Sequence, residues 1–341
     1  MLEELTTSGA ADAADPATRK KHRVRRIIVS VVAIVVLLTV GTGAAYVAFL
    51  NHTVTTNVKH EALLPTPTAG ESAPARAPAA KDAQNILLIG SDSHGSVANG
   101  RSDVIVLVHI TSDRKKVYLV HFPRDLYVDV PGHGKDKINA AYAYGGPQLL
   151  VRTLQNLVDV PLDHVALIGF DGFKAMTDAV GGVDVYAEEA STEPGTGTVH
   201  VGVNHLDGAA ALAFVRERHQ LSEGDISRGR RQMAFVKALM LKALSKDTLT
   251  NPVGFAQFVD AATRNLTVDN AFSIGDMRSQ ALAMRNLRSK DIVFIIAPFT
   301  GFGTSPIGAS IDVLDEAKMT QLSFALKNDD MSNISLGQQI P

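Results

Sequence analysis

The spacing of apolar positions changes several times along the chain, and each change predicts a different element. The first apolar block, IIVSVVAIVVLLTVGTGAAYVAFL over 27–50, contains no charged residue. It exceeds the roughly 20 residues needed to cross a bilayer and is longer than the ~7–15 residues of a signal-peptide core. The basic run RKKHRVRR precedes it and ends at Arg26. The pattern predicts a retained transmembrane helix over 27–50, with a polar cytoplasmic tail over 1–26 and everything after Leu50 outside. Residues 51–81 are rich in Thr, Ala and Pro, with Pro65, Pro67, Pro74 and Pro78 and no apolar period, which predicts a semi-extended spacer. The folded domain is then expected over 82–341, with a core over about 85–245.

Within that domain NILLIG, VIVLVHI and KVYLVHF read as buried or half-buried strands, the last two joined by the polar hairpin connection TSDRKK. PGHGKDK reads as a loop. A short and a longer helix follow, meeting at Gly145-Gly146-Pro147, and Leu149, Leu150, Leu154, Leu157 and Val158 fall at helical spacing on one face. HVALIGF, DGFKAMTDAV and GGVDVYA read as strand, helix and strand, a pattern that predicts a parallel crossover in an α/β sheet. An irregular excursion over 188–204 with room for a small β-ribbon comes next. LDGAAALAFVRERH predicts an alanine-rich helix ending in Arg216, Arg218 and His219. A second helix is expected after Gly224, with Asp225 as its N-cap.

Composition narrows the chemistry. With 45% hydrophobic and 20% charged residues the chain builds a sizeable core, and with no cysteine it forms no disulfide, thiolate nucleophile or cysteine metal site. The formal charge is −2; six of the 33 Lys and Arg and four of the 35 Asp and Glu lie at or before Arg26, which leaves −4 for the rest. No basic field points to nucleic acid. No G-x-S-x-G elbow, HExxH, P-loop or G-x-G-x-x-G occurs, and His109 and His121 belong to strands.

Against this acidic background the strand ends carry Asp92 in GSDS, Arg101 and Asp103 in GRSD, and Arg124 and Asp125 in FPRD. Two carboxylates on adjacent loops with arginines beside them suit a divalent cation and a phosphorylated ligand. Loop-capping Asp residues paired with nearby Arg are the other use of such neighbours. Arg228, Arg231 and Gln232 stand at i, i+3 and i+4, on one face of a helix start that itself attracts anions. With Arg216 and Arg218 they make a basic cluster that favours phosphate over a solvated face balanced by Glu217 and Glu223.

The ordered set GSDS, GRSDVIVLVHI, FPRDLYV, KINAAYAYGG, GFDGF, GGVDV, LDGAAALAFVRERH and DISRGRRQ resembles the extracytoplasmic domain of the LytR-CpsA-Psr family, strongly over about 85–242. The resemblance implies an α/β fold, an α/β/α sandwich around a mixed central sheet. It also implies transfer of a glycopolymer, of teichoic acid, capsule or arabinogalactan type, from a polyprenyl pyrophosphate carrier to peptidoglycan at the cell membrane. Residue by residue it implies that Asp92 and Asp103 hold Mg²⁺ (or Mn²⁺), that Arg101, Arg124, Arg216, Arg218 and Arg228 hold the pyrophosphate with Gln232 in support, and that Asp103, Arg124 and Arg218 act in catalysis. Lys137 and Asn139 of KIN are expected to shape the site, and the lipid chain to lie against the apolar helix faces. A non-catalytic receptor for polyprenyl-linked glycans would need the same arginines without the Asp92 and Asp103 pair as metal ligands.

Overall fold

The computed structural model describes residues 40–66, 73–91, 102–193 and 197–334. The chain divides into two units at His52 and Thr53. In the first, residues 40–52 are helical. No described helix is long and apolar enough to cross a membrane. Most of the predicted transmembrane span, 27–39, lies outside the described residues, as does the tail before it.

The second unit starts with helical residues 53–57 and then gives β1 (Lys59–Glu61), β2 (Gln84–Ser91), β3 (Ser102–Ile110), β4 (Val117–His121), β5 (Leu126–Val130) and β6 (Gly134–Lys137). Helix α1 (Ile138–Val158), β7 (His164–Gly169), α2 (Phe170–Ala179), β8 (Val183–Ala187), β9 (Ser191–Glu193), β10 (Gly197–Val199) and β11 (Gly202–Leu206) follow. The rest comprises α3 (Gly208–Arg216), α4 (Asp225–Ala243), α5 (Lys246–Thr250), α6 (Pro252–Arg264), β12 (Leu266–Asp269), α7 (Ile274–Ala283), β13 (Ile292–Ile296), β14 (Phe299–Thr304), β15 (Ser310–Leu314) and α8 (Glu316–Asn328).

A seven-stranded mixed sheet in the order β1-β12-β7-β2-β3-β4-β13 forms the centre. The period-2 rule sorts its side chains onto two cores. Leu87, Ile89, Ile105, Leu107, Tyr118 and Val120 face a core completed by Leu150, Leu154 and Val158 of α1 and Met319, Leu322 and Leu326 of α8. Ile86, Val106, Val117 and Leu119 face the other, with Met233 of α4 and half-buried Ile274 and Met277 of α7. The expected α1 face is thus built as read. Its break lies at Gly146, whose φ of 62° and ψ of −159° suit glycine alone, followed by Pro147.

Several expectations are corrected. Of the spacer read over 51–81, the described stretches 53–66 and 73–81 are part of the fold. β1 joins the sheet parallel to β12, Leu63 is 1% exposed in the α1 core, Gln148 Nε2 donates to the Ala62 carbonyl at 2.8 Å, and Asn57 Nδ2 donates to Asp260 Oδ1 at 3.0 Å. Short pieces of order separated by prolines carry no periodicity long enough to read. The parallel crossover does not form either: β8 pairs antiparallel with β11 in a ribbon of its own. Its burial alternates strictly along VDVYA, the mark of a strand covered on one face, whereas a central parallel strand is apolar on both. PGHGKDK is a loop only in its first half, since β6 pairs antiparallel with β5. The excursion over 188–204 supplies the expected ribbon, β9 with β10. Finally, Gly224, at φ 54°, is the N-cap of α4, and Asp225 is its first helical residue.

Candidate functional site

The site lies at one end of the central sheet, where β2 and β4 finish and antiparallel β3 begins. Ser91 at the end of β2 is paired with Ser102, and the amide of Phe122, just past β4, donates to the Ile105 carbonyl at 2.9 Å. Arg124 leaves β4 at the end where Asp103 enters β3. Asp92 and Arg101 lie outside the described residues, and of Asp103 the backbone alone is described, inside β3.

The Arg124 loop is held from three sides. The Asn139 amide donates to the Arg124 carbonyl at 3.1 Å, and the Asp312 amide of β15 to the Asp125 carbonyl at 2.9 Å. Lys137 Nζ stands 2.9 Å from Asp125 Oδ1, and Arg124 Nε 3.6 Å from Asp125 Oδ2. Lys137 and Asn139 thus hold the Asp125 carboxylate and the Arg124 carbonyl, on either side of the half-buried Arg124 side chain between β4 and β5.

Opposite this loop sits the start of α4. Arg228, Arg231 and Gln232 are all buried, as their i, i+3, i+4 spacing requires. Gln232 Nε2 donates to the Val215 carbonyl at 3.3 Å, tying α4 to the end of α3, where Arg216 follows. Arg228 is close enough to His121, the last residue of β4, for its charge to act there. Arg228 and Gln232 thus lie beside the end of β4 and the end of α3, with Arg124 three residues past His121 and Arg218 two residues beyond α3, its Nε 3.4 Å from His219 Nε2.

The arginines differ in what they do. Arg231 donates to Ser191 Oγ at 2.8 Å and the Glu189 carbonyl at 2.7 Å, and its guanidinium lies 4.6 Å from the centre of the Phe214 ring. These contacts make it a fastener between α4 and the excursion. Burial lowers its basicity, and the nearby Glu217 and Glu189 act the other way. Arg230 pairs with Glu223 and reaches Glu188 at 3.9 Å, so the solvated, carboxylate-balanced face expected as the alternative exists, one residue away from the inward face. Glu189 accepts from Ser227 Oγ at 2.5 Å and the Ser222 amide at 2.6 Å; burial raises its carboxyl, but these donors leave it below the ordinary range.

Of the two carboxylates expected to hold a divalent cation, Asp92 lies outside the described residues, and Asp103 follows Ser102, whose partner across the sheet is Ser91. A pair of carboxylates with substrate phosphates completing the shell is how Mg²⁺ is usually held.

Residues that the sequence left unread include His121, Glu189 and Asp312. His121 sits in an apolar strand motif, which hides its position. Glu189 and Asp312 come from the irregular excursion and the segment after Pro298, where neither spacing nor motif distinguishes them.

The sequence model of the LytR_cpsA_psr family matches residues 45–328. The probable cell wall biosynthesis protein LcpB of Corynebacterium glutamicum is 35% identical over 71% of this chain, and the match spans 61% of LcpB itself, less than two thirds of its length. The polyisoprenyl-teichoic acid–peptidoglycan teichoic acid transferase TagU of Enterococcus faecalis is 33% identical over 73% of this chain and 80% of its own. Among solved structures, TagT bound to LI-WTA shares 28% identity at a TM-score of 0.59, covering 76% of this chain and 97% of that one. With the mixed central sheet and a family match over most of its length, the chain belongs to the LytR_cpsA_psr family.

Proposed function

We propose that the chain transfers a glycopolymer from a polyprenyl pyrophosphate carrier to peptidoglycan, outside the membrane to which 27–50 anchors it. The observation that supports this reading is the burial of Arg228 beside the end of β4 from which Arg124 leaves, in a net acidic domain of a chain similar to a transferase named for that donor and acceptor. Arginine forks match phosphate oxygens, and phosphoryl transfer demands mostly positioning and the offsetting of negative charge.

In this reading a peptidoglycan hydroxyl attacks the phosphorus bonded to the glycan. The bond from that phosphorus to the bridging oxygen breaks, and polyprenyl phosphate leaves with the electron pair. Arg124 is held by the Lys137–Asp125 pair to orient the reacting phosphate, and Arg216, Arg218 and Arg228 stabilise charge on the departing one. Asp92 and Asp103 would hold Mg²⁺, which when bound neutralises pyrophosphate charge. The layering is that of an α/β/α sandwich. The lipid chain runs on the α4 side, where Val236, Leu239 and Phe258 are only partly buried, because Leu150, Leu154 and Val158 close the α1 face completely.

The test is transfer by the full chain from a polyprenyl pyrophosphate glycan to peptidoglycan fragments with Mg²⁺, with Asp103→Ala alongside. Release of polyprenyl phosphate with glycan joined to the acceptor, lost in the variant, is expected. Tight donor binding without turnover, unchanged by Asp103→Ala, would instead establish a receptor.

A further inference from the structure

His121 ends β4 three residues before Arg124 and is 4% exposed. Its Nδ1 is buried and, among the described residues, has no hydrogen-bond partner of good geometry, an omission that is costly in a folded interior. Such groups call for a specific account. An apolar residue would fill the strand position without that cost.

The account lies across the gap from β4. At Gly229 of α4 a Cβ would stand 2.8 Å from His121 Nε2 and 3.2 Å from its Cδ2. The helix backbone therefore rests directly on the imidazole edge, at the residue next to Arg228. No side chain intervenes, so the ring's position is passed to the helix turn without slack. The ring is also kept neutral: burial, and then the neighbouring Arg228 charge, lower its pKa to about 4 against a weaker opposing pull from the Ile105 backbone. It thus braces a cation without adding a second one.

We propose that His121 is a positioning residue for the pyrophosphate cage: a neutral imidazole spacer that fixes the separation between the Arg124 loop, which β4 delivers, and Arg228, which the first turn of α4 delivers. This rests on the reading of Arg228 as a cage residue. Cage geometry matters because misplacement by about 1 Å costs on the order of 10²-fold in rate.

The experiment measures binding of inorganic pyrophosphate with Mg²⁺ to the full chain in detergent by calorimetry, with thermal unfolding of each variant, for His121→Ala, Gly229→Ala and Arg228→Ala singly and in pairs. His121→Ala withdraws the spacer; Gly229→Ala keeps it and pushes the helix off. Both are expected to weaken pyrophosphate binding at least severalfold, and neither to weaken it further once Arg228 is alanine, since each acts through that side chain. The Gly229→Ala effect is also expected to vanish on the His121→Ala background, where the methyl has room.

Binding by both His121→Ala and Gly229→Ala equal to the parent would overturn the proposal, as would losses undiminished on the Arg228→Ala background. Should Arg228→Ala alone bind like the parent, the assignment of Arg228 to the cage fails first, an outcome distinct from failure of the spacer. If His121→Ala does not fold, Gly229→Ala with and without Arg228→Ala decides the question.

Discussion

Individual side chains at the sheet end carry unequal duties, and substitution separates them. Arg124→Ala or Arg218→Ala is expected to cut transfer by ~10²-fold or more, the scale of removing one preorganised donor from a site of developing charge, with little change in unfolding temperature. Arg231→Ala should instead lower stability, because it releases Ser191, the Glu189 carbonyl and the Phe214 face together. Only the inward spacing was readable for these residues; which guanidinium serves the protein depends on partners from the excursion. His121 gives a pH signature. Its folded pKa of about 4 lies below the ordinary 6.5, so between these values the unfolded chain binds the proton that the folded chain refuses. Stability is therefore complete above pH 6.5 and declines as pH falls toward 4, by up to ~3 kcal/mol. Denaturant unfolding from pH 4 to 7 should show a shallower decline in His121→Asn; an unchanged slope would mean that burial of this ring does not govern it.

At the level of elements, the C-terminal end of α8 is held by a polar fastening. Asp329, its C-cap at φ 55°, accepts from His109 Nε2 at 2.9 Å and from the Ser112 amide at 2.9 Å, while His109 Nδ1 faces Asn85 Oδ1 at 2.8 Å. Burial raises the Asp329 carboxyl, but the His109 and Ser112 donors outweigh it and leave the group below the ordinary range. Such a carboxylate contributes stability above its unfolded pKa and loses it as pH drops below about 4. Asp329→Ala leaves the fully buried His109 without its acceptor, and a cost of about 1–3 kcal/mol is expected in denaturant unfolding. Gly146→Ala should cost ~1–3 kcal/mol, since φ and ψ there lie in a region open to glycine alone. The glycine junction was legible from Gly-Gly-Pro. The α8 fastening was not, because its two halves, His109 and Asp329, stand 220 residues apart in sequence.

For the whole molecule, the central three strands, the α1 face and the shared inward face of Arg228, Arg231 and Gln232 were legible in the sequence because each rests on a local period or a short motif. What escaped was long-range: β1 inside a proline-rich stretch, β8 leaving the main sheet, and the segment after Pro298 closing the first core with Met319, Leu322 and Leu326. No local pattern announces such pairings, since they are decided by which surface remains uncovered when the rest has packed. A measurable consequence concerns the domain boundary. A chain begun at residue 82 lacks β1 and Leu63, whose burial alone is worth ~1.5–3 kcal/mol, and should unfold at a distinctly lower temperature than one begun at Thr53. Equal melting temperatures would show that the docked segment is dispensable.

The docking of Asn57 onto Asp260 also sets the length of a leash. Between Leu50, where the apolar stretch ends, and Asn57 the chain reaches at most about 25 Å even fully extended. If 27–50 anchors the chain as proposed, the domain would patrol a thin layer of space above the bilayer, and its encounters with a lipid-borne donor would be a search in two dimensions at high local concentration. The acceptor strand would then have to come to that layer. Lengthening the leash with Gly-Ser residues after His52 should dilute the encounter with a bilayer-embedded donor while leaving turnover of a water-soluble, short-chain donor untouched.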